Sequence, residues 1–206
     1  MLWFTIPCMN ASQSKLEISR AKIARSHKDQ PADGEYIAAQ AIETPLGTLL
    51  TAAVNDAICY VEFSDRCSVE LHYAQIRKHI ALPVLTRAND ALAQLRAEFE
   101  LYFQGKQKHF YVRVEMRGTP FQERVWGELQ NILYGETISY AELARRVGQP
   151  NAVRAAARAN GTNRISILIP CHRVIGSDGK LTGYGGGLWR KRLLLQLEQT
   201  GSLSDA

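Results

Sequence analysis

The sequence predicts an α+β protein with a small N-terminal α+β unit and a helical C-terminal unit. Two observations predict it. Strand-like apolar runs bounded by turn signals are concentrated before about residue 116, whereas helix-capping signals followed by helical periodicity dominate after it. We expect a flexible tail over residues 1–35, an N-terminal α+β domain over 36–116, a C-terminal domain over 117–200 and a tail over 201–206. A chain of 206 residues has room for two small domains.

The N-terminal unit is predicted to contain strands and one long helix. Strand-like runs extend from Ile42 to Phe63, with a hairpin turn signal at Asn55-Asp56. Asn89 is a plausible cap for a helix that runs to Gln104 and stops at Gly105. Its predicted apolar face consists of Leu92, Leu95, Phe99, Tyr102 and Phe103. A further strand is expected over residues 111–114, and a short helix within the tail around residues 16–24.

The C-terminal unit is predicted to be helical. Thr119-Pro120-Phe121-Gln122 is a capping box, and a second one is Ser139-Tyr140-Ala141-Glu142. The apolar face predicted for the first helix consists of Phe121, Val125, Leu129, Ile132 and Leu133. The second helix is expected to end at Gly148, and the next to run over residues 151–160 and stop at Gly161. Two short helices joined by about three residues are typical of a helix-turn-helix.

The charge of the chain is uneven. Residues 117–199 contain 12 Lys or Arg and 6 Asp or Glu, whereas the rest of the chain contains 13 and 14. A basic half beside a nearly neutral half indicates that one half meets a polyanion. The four cysteines form no closely spaced pair, which favours a reducing compartment, cytoplasmic or nuclear. No apolar run approaches the length of a membrane span, so no membrane association is expected.

The pair Cys171-His172 places a thiol beside an imidazole. Residues 165–169 are almost all apolar and predict a buried extended segment, which the chain leaves rigidly at Pro170. A cysteine held there is either a small core residue or a nucleophile. The loop over residues 183–187 is too glycine-rich for a core, and the helix predicted from Leu188 to Gln199 carries Glu198. This context favours the nucleophile.

From Gly118 to Glu198 the sequence resembles the C-terminal domain of the O6-alkylguanine-DNA alkyltransferases. The residues that match that family in order and spacing are Ser139-Tyr140, Ala152-Val153-Arg154-Ala155, Asn163, Pro170-Cys171-His172-Arg173-Val174, Tyr184 and Glu198. Thr44-Pro45-Leu46-Gly47 and Cys59-Tyr60-Val61-Glu62-Phe63 are similar to the start of the family's N-terminal domain. The resemblance implies a ribonuclease H-like α/β N-terminal domain and a winged-helix or helix-turn-helix C-terminal domain.

The resemblance also implies the chemistry: DNA repair by direct, irreversible and stoichiometric transfer of an alkyl group from guanine O6 in duplex DNA to Cys171. His172 would accept the thiol proton through a water, and Glu198 would orient His172. The family pattern makes Tyr140 the donor to the base, Asn163 the brace of the active-site loop, and Tyr184, Arg173 and Gly185 the base pocket. Because Glu198 would stabilise charged His172, we expect the pKa of Cys171 to lie well below that of free cysteine. Acceptance of O4-alkylthymine is left open.

The helix predicted from residue 151 is the expected DNA-binding element. Arg154 and Arg158 are four residues apart and share a face. We expect four alanines to leave the neighbouring surface nearly bare, so that the backbone can come close to DNA: Ala152, Ala155, Ala156 and Ala159. Val153 is expected to belong to the same DNA-binding surface. The resemblance implies binding in the minor groove, with Arg154 filling the base stack that an extruded nucleotide leaves. For Arg158 a phosphate contact is expected. We expect the partner to be double-stranded DNA and the protein to be a monomer.

Three alternatives stay open at this point. A thiol hydrolase would use the same Cys171, His172 and Glu198, but would leave the basic helix unexplained. A non-catalytic module that binds alkylated DNA would not need Cys171. An alkylation-responsive regulator finds support in the pair Asn163-Arg164, although little room precedes Ala38 for a regulatory domain.

No cofactor and no metal in the active site are expected. Some relatives hold structural zinc in the N-terminal domain through two cysteines and two histidines. The candidates here are Cys8, Cys59, Cys67, His27, His72 and His79, and they lack ligand spacing.

Overall fold

The structure is a computed structural model that describes residues 35–203. The elements below belong to one compact unit that begins at Tyr36. The tail over residues 1–34, with its expected short helix, and residues 204–206 lie outside the described part. Between residues 35 and 203 no helix is both long and apolar enough to cross a membrane.

A five-stranded sheet forms the first half. Its strands are β1 (Ile37–Ile42), β2 (Leu49–Val54), β3 (Ala57–Phe63), β4 (Val84–Leu85) and β5 (Arg113–Val114), in the order β4-β1-β2-β3-β5. The pairs β1–β2 and β2–β3 are antiparallel, whereas β4 and β5 add to the edges in parallel. The predicted hairpin joins β2 to β3, where Asn55 adopts a left-handed φ of 52°. Asparagine tolerates that conformation well, which explains the turn signal.

Helices cover both faces of the sheet. One face packs against α2 (Asp90–Phe103), whose Leu92, Leu95 and Phe99 are buried. The other face packs against α1 (Val69–His79) through Ile76. Every residue of β2 is buried, as expected for a strand covered on both sides.

The N-terminal predictions succeeded where a local signal existed. Asn89 caps α2 by accepting a hydrogen bond from the Leu92 N–H, as its capping role predicted. Strand β1 and helix α1 were not predicted. The alanines of β1 have little strand propensity, and α1 has weak apolar periodicity. The Ser68 cap and the basic last turn of α1 are the signals that could have revealed that helix.

The second half consists of helices α3 (Pro120–Gln130), α4 (Tyr140–Arg146), α5 (Val153–Gly161) and α6 (Leu188–Thr200), with a small parallel pair of strands, β6 (Ile138–Ser139) and β7 (Val174–Ile175). The Thr119 capping box is formed in both directions. Ser139 caps α4, but the Glu142 carboxylate binds Arg145 and Arg146 instead of closing the second box.

Three details of this half differ from prediction. The connection between α4 and α5 is residues 147–152, longer than the expected three, because α5 begins at Val153. Leu133 was placed on the buried face of α3, yet it is 60% exposed because the helix ends at Gln130. Residues 165–169 are buried as predicted, but they form a turn rather than an extended segment.

Candidate active site

The turn before Cys171 has an unusual backbone. Ile167 has a φ of 74°, and the N–H of Ile169 donates to the carbonyl of Ile165 at 3.0 Å. A β-branched residue in this region costs about 1–3 kcal/mol, and such strain is tolerated only where the surroundings enforce it. Ile167 is fully buried, so its burial opposes the backbone cost. An apolar run does not reveal a positive φ, which explains why the extended segment was wrongly expected.

Asn163 holds this turn from within. Its Oδ1 accepts from the N–H of Ile165 at 2.9 Å, and its Nδ2 donates to the carbonyl of Ile169 at 2.9 Å. The same Nδ2 lies 3.2 Å from the Sγ of Cys171. One buried amide therefore fixes the turn and contacts the sulfur.

Strand β3 of the first half supports the turn from outside. The N–H of Val61 donates to the carbonyl of Arg164, and the N–H of Ser166 donates to the carbonyl of Val61, both at 2.8 Å. These bonds extend the sheet onto the segment that carries the thiol. The position of Cys171 thus depends on both halves of the molecule.

Residues 171–173 form a single 3₁₀ turn, not extended backbone. Cys171 and His172 are both buried, and their side chains meet different groups. The sulfur contacts Asn163, whereas the Nε2 of His172 lies 2.9 Å from Oε1 of Glu198. Because a carboxylate only accepts, Nε2 is the protonated nitrogen and Nδ1 is the acceptor. Nδ1 is buried and has no hydrogen-bond partner among the described residues.

Glu198 is the centre of a buried network. Arg173 donates to both of its carboxylate oxygens at 2.8 and 2.9 Å, and the hydroxyl of Tyr102 donates at 2.7 Å. The N–H of Gly135 adds a bond at 3.1 Å. Burial acts to raise the pKa of Glu198, but His172 and Arg173 outweigh it and hold that pKa well below its usual range. Glu198 is therefore a carboxylate. Burial in turn lowers the pKa of His172 despite the attraction of Glu198, so this imidazole is neutral.

The expectation of a low pKa for Cys171 was wrong. The pKa of this thiol is raised to about 11, mainly by burial and in smaller part by the charge of Glu62. The hydrogen bond from Asn163 and the charges of Lys191 and Arg66 oppose the rise without cancelling it. The free-energy cost of removing a thiolate from water is larger than the stabilisation that these three partners provide. The resting sulfur is a thiol.

Arg173 is also placed differently from its predicted role. Its guanidinium binds Glu198 and donates to the carbonyl of Ile132 at 2.6 Å. It does not line the pocket beside Cys171. Arg173 and Glu198 are 25 residues apart in the chain, and no sequence pattern indicated that they are in contact.

A small pocket opens beside Cys171. Its lining residues are Arg66, Asn160, Gly161, Asn163, Ser166, Cys171, Gly183, Tyr184 and Gly185. Of the predicted base-pocket residues, Tyr184 and Gly185 are among them. Tyr140 is not among the lining residues, but its hydroxyl donates to the carbonyl of Thr182 at 3.3 Å, next to the lining residue Gly183. A Cβ on the neighbouring Gly183 would lie 3.6 Å from that hydroxyl.

Several residues of the site were missed by sequence reasoning. Arg66 and Glu62 come from the first half and form an ion pair, in which Glu62 is buried and also accepts from Ser166. Lys191 is buried in α6 and donates to the carbonyls of Val174 and Thr182, and burial lowers its pKa to about 8. A charged residue among apolar neighbours is normally read as exposed, so the burial of Glu62 and Lys191 was not predictable from the sequence pattern.

Arg190 ties the glycine-rich loop to the first half. Its guanidinium donates to the carbonyls of Gly186 and Leu46, and forms two bonds with the carboxylate of Asp65. It also stacks on Phe63, 4.1 Å from the ring centre. The loop that bounds the pocket is therefore fixed to the sheet domain.

The predicted DNA-binding helix, α5, presents a basic face. Arg154, Ala155 and Arg158 are exposed. The expectation that Ala156 and Ala159 belong to the same bare surface was wrong, because both lie on the opposite side of the helix and pack against the core. The indole of Trp126 donates to the carbonyl of Ala159 at 2.8 Å and fixes the helix to α3. Ala152 is the N-cap and provides no side-chain cap, so the first N–H groups of α5 are left to outside partners.

A search of residues 35–203 finds no group of three His, Cys, Asp or Glu side chains placed to hold a metal ion. Cys59 and Cys67, two of the zinc candidates, are free thiols. Cys8 and His27 lie outside the described residues.

Comparison with known proteins gives a consistent result. A model of the 6-O-methylguanine DNA methyltransferase ribonuclease-like domain matches residues 37–116, and one of the DNA binding domain of the same name matches residues 120–200. The methylated-DNA–protein-cysteine methyltransferase of Mycobacterium bovis is 44% identical over 80% of this chain and 93% of its own length. The protein of that name from Methanosarcina acetivorans is 41% identical over 76% and 94%. The crystal structure of Mycobacterium tuberculosis OGT in complex with DNA matches with a TM-score of 0.68. The match has 40% sequence identity and covers 81% of this chain and 95% of the OGT chain.

Proposed function

The chain belongs to the O6-alkylguanine-DNA alkyltransferase family, and on that premise we propose that Cys171 is the residue that accepts the alkyl group in DNA repair by direct reversal. The observation that carries the proposal is the position of its sulfur. Cys171 lines a small pocket and is followed in the chain by a neutral histidine whose Nε2 donates to a carboxylate. The substrate is O6-alkylguanine in duplex DNA, and O4-alkylthymine is a candidate second substrate.

The reaction is an in-line displacement at the alkyl carbon. A bond forms between Sγ of Cys171 and that carbon, while the bond from the carbon to O6 of guanine breaks. The electron pair leaves on guanine, and the hydroxyl of Tyr140 at the pocket edge is the donor that stabilises it. Asn163 keeps the sulfur in place for the attack.

The thiol proton needs an acceptor because the resting sulfur is protonated. The unpartnered Nδ1 of His172 is the acceptor, and a water relays the proton because the two side chains face different groups. Protonated His172 is then paired with Glu198 across a 2.9 Å contact. Arg173 and Tyr102 fix that carboxylate, so they are positioning residues.

The product is a thioether, which offers no carbonyl for water to attack. No step regenerates the thiol, and the protein reacts once. This outcome distinguishes the proposal from a thiol hydrolase, whose acyl intermediate is cleaved by water. The presence of Cys171 favours transfer over non-catalytic binding of alkylated DNA.

The exposed face of α5 is the surface that holds the duplex. Its uncapped first N–H groups and Arg158 suit phosphates. Arg154 fills the stack after the damaged nucleotide turns out into the pocket, and the small side chains of Ala152, Val153 and Ala155 allow a close approach in the minor groove. The protein acts as a monomer and without a cofactor.

Intact-mass spectrometry tests the proposal. Excess duplex DNA containing O6-methylguanine should add one methyl group per chain, and peptide mapping should locate it on Cys171. The matched control is Cys171→Ser, which should bind the same duplex and gain no mass. Repeated turnover, or a methyl group on Cys59 or Cys67, would refute the assignment.

A further inference from the structure

Asn160 reaches the pocket from the end of α5 and has no role in the chemistry described above. Its side chain is only 3% exposed. It lines the same pocket as the sulfur of Cys171 and the ring of Tyr184. A buried amide in a reaction pocket requires partners for both of its ends.

One end of this amide is satisfied. Nδ2 donates to the backbone carbonyl of Cys171 at 3.4 Å. A carbonyl can only accept, so the nitrogen must face it and the amide oxygen must point elsewhere. That oxygen, Oδ1, is buried and has no hydrogen-bond partner among residues 35–203. An unpaired buried acceptor is destabilising, and a ligand with an N–H donor would satisfy it.

The chemistry of the proposed substrate identifies that donor. An alkyl group on O6 removes the proton from N1 of guanine, so the exocyclic 2-amino group becomes the donor on that edge of the base. O6 and the 2-amino group share this edge. When the alkyl carbon lies at the sulfur of Cys171, the amino group is brought near the backbone of the same residue, where Asn160 is bonded.

We propose that Asn160 is a specificity-determining residue whose Oδ1 accepts a hydrogen bond from the 2-amino group of O6-alkylguanine. The inference rests on the proposed function. It predicts that bases without this group are disfavoured, because they leave Oδ1 buried and unpaired. O6-alkylhypoxanthine differs from O6-alkylguanine only in lacking the amino group, and O4-alkylthymine also lacks an exocyclic amine.

The experiment compares single-turnover rates of methyl transfer from two duplexes, one with O6-methylguanine and one with O6-methylhypoxanthine. The native protein should prefer guanine by about tenfold, the effect of one lost hydrogen bond to a buried group. Asn160→Leu, which keeps the size but removes the acceptor, should bring the ratio of the two rates close to one. Because both rates come from one preparation, their ratio does not depend on the folded fraction.

Thr162→Val is the matched control. Thr162 lies at the same helix end and bonds to Gln122, and it does not line the pocket. It should leave the ratio unchanged and set the scatter of the measurement. If the ratio of the two rates for Asn160→Leu equals the native ratio within that scatter, the inference is overturned while the proposed function stays intact. Failure of the native protein to accept methyl from either duplex would overturn the proposed function itself.

Discussion

At the scale of single residues, burial decides the protonation of the site. The same low-polarity surroundings that keep Cys171 a thiol also keep His172 neutral, because both lose water when buried. Glu198 stays charged because four groups donate hydrogen bonds to its carboxylate, one of them a guanidinium. They are Arg173, His172, the hydroxyl of Tyr102 and the N–H of Gly135. The sequence predicted the three residues but not this balance, since a pKa depends on burial that spacing does not show.

Replacing Glu198 by Gln tests the role of its charge. The change leaves the buried guanidinium of Arg173 unpaired, so the free energy of unfolding should fall by about 3–5 kcal/mol near neutral pH. It also removes the charge that stabilises protonated His172, so the rate of transfer from O6-benzylguanine should fall at least about tenfold. Denaturant titration and intact mass against time measure the two effects.

The pH dependence of that stability difference has a defined sign. The pKa of Glu198 is lowered on folding, so its contribution is complete above the ordinary value of 4.5 and is lost as the pH falls toward the folded value. The difference in the free energy of unfolding between the native protein and Glu198→Gln should therefore be constant above about pH 6 and decrease below pH 4.5. The control Glu136→Gln changes an exposed carboxylate and should show neither effect. A gap that widens in acid would contradict the assignment.

At the scale of elements, local signals predicted what local chemistry determines. The Thr119 and Asn89 caps and the turn at Asn55 are formed by residues within three positions of each other, and the sequence revealed them. The turn over residues 165–169 could not be predicted, because its shape depends on Asn163 and on strand β3. Helix α5 was predicted, but its first turn was placed two residues too early.

The two arginines of α5 should have separable roles. If Arg154 fills the stack that the extruded base leaves, Arg154→Ala should slow repair in duplex DNA by about ten- to a hundredfold, because extrusion costs a few kcal/mol. It should leave transfer from free O6-benzylguanine nearly unchanged, since no base has to be extruded. Single-turnover rates on the two substrates give the comparison.

Arg158→Ala is the matched variant on the same face. If Arg158 contacts a phosphate, its loss should weaken duplex binding and reduce the slope of log affinity against log salt by about one. The rate at saturating DNA should stay close to that of the native protein.

The outcome that would contradict the role of Arg154 is an equal loss of rate for Arg154→Ala on duplex DNA and on free O6-benzylguanine. Arg154 would then act on the pocket and not on base extrusion.

At the scale of the whole molecule, the first half contributes to the candidate active site. Strand β3 carries the turn before Cys171, Arg190 fixes the pocket loop to Leu46 and Asp65, and Arg66 lines the pocket itself. These contacts join residues more than a hundred positions apart, which is why sequence reasoning assigned the whole site to the second half. The resemblance proposed Cys171 as the nucleophile, but it did not reveal that Glu62 and Arg66 of the sheet domain act on its thiol.

The ion pair of Glu62 and Arg66 provides a test of this coupling. The charge of Glu62 raises the pKa of Cys171, and that of Arg66 lowers it. Glu62→Gln should therefore lower the pKa of Cys171 and increase its thiolate fraction at a given pH, and Arg66→Gln should do the opposite. The double variant should lie near the native value because the two charges are lost together.

The measurement is the rate at which iodoacetamide modifies Cys171, followed by peptide mapping across a range of pH. In the native protein the rate should increase with pH up to the pKa of Cys171, about 11, because only the thiolate reacts. The control is Asp56→Asn, which breaks an exposed ion pair with Arg113 in the same half and should leave the profile unchanged. Shifts of the same sign for Glu62→Gln and Arg66→Gln would mean that burial alone sets the pKa of Cys171, and that the sheet domain supports the nucleophile only by its shape.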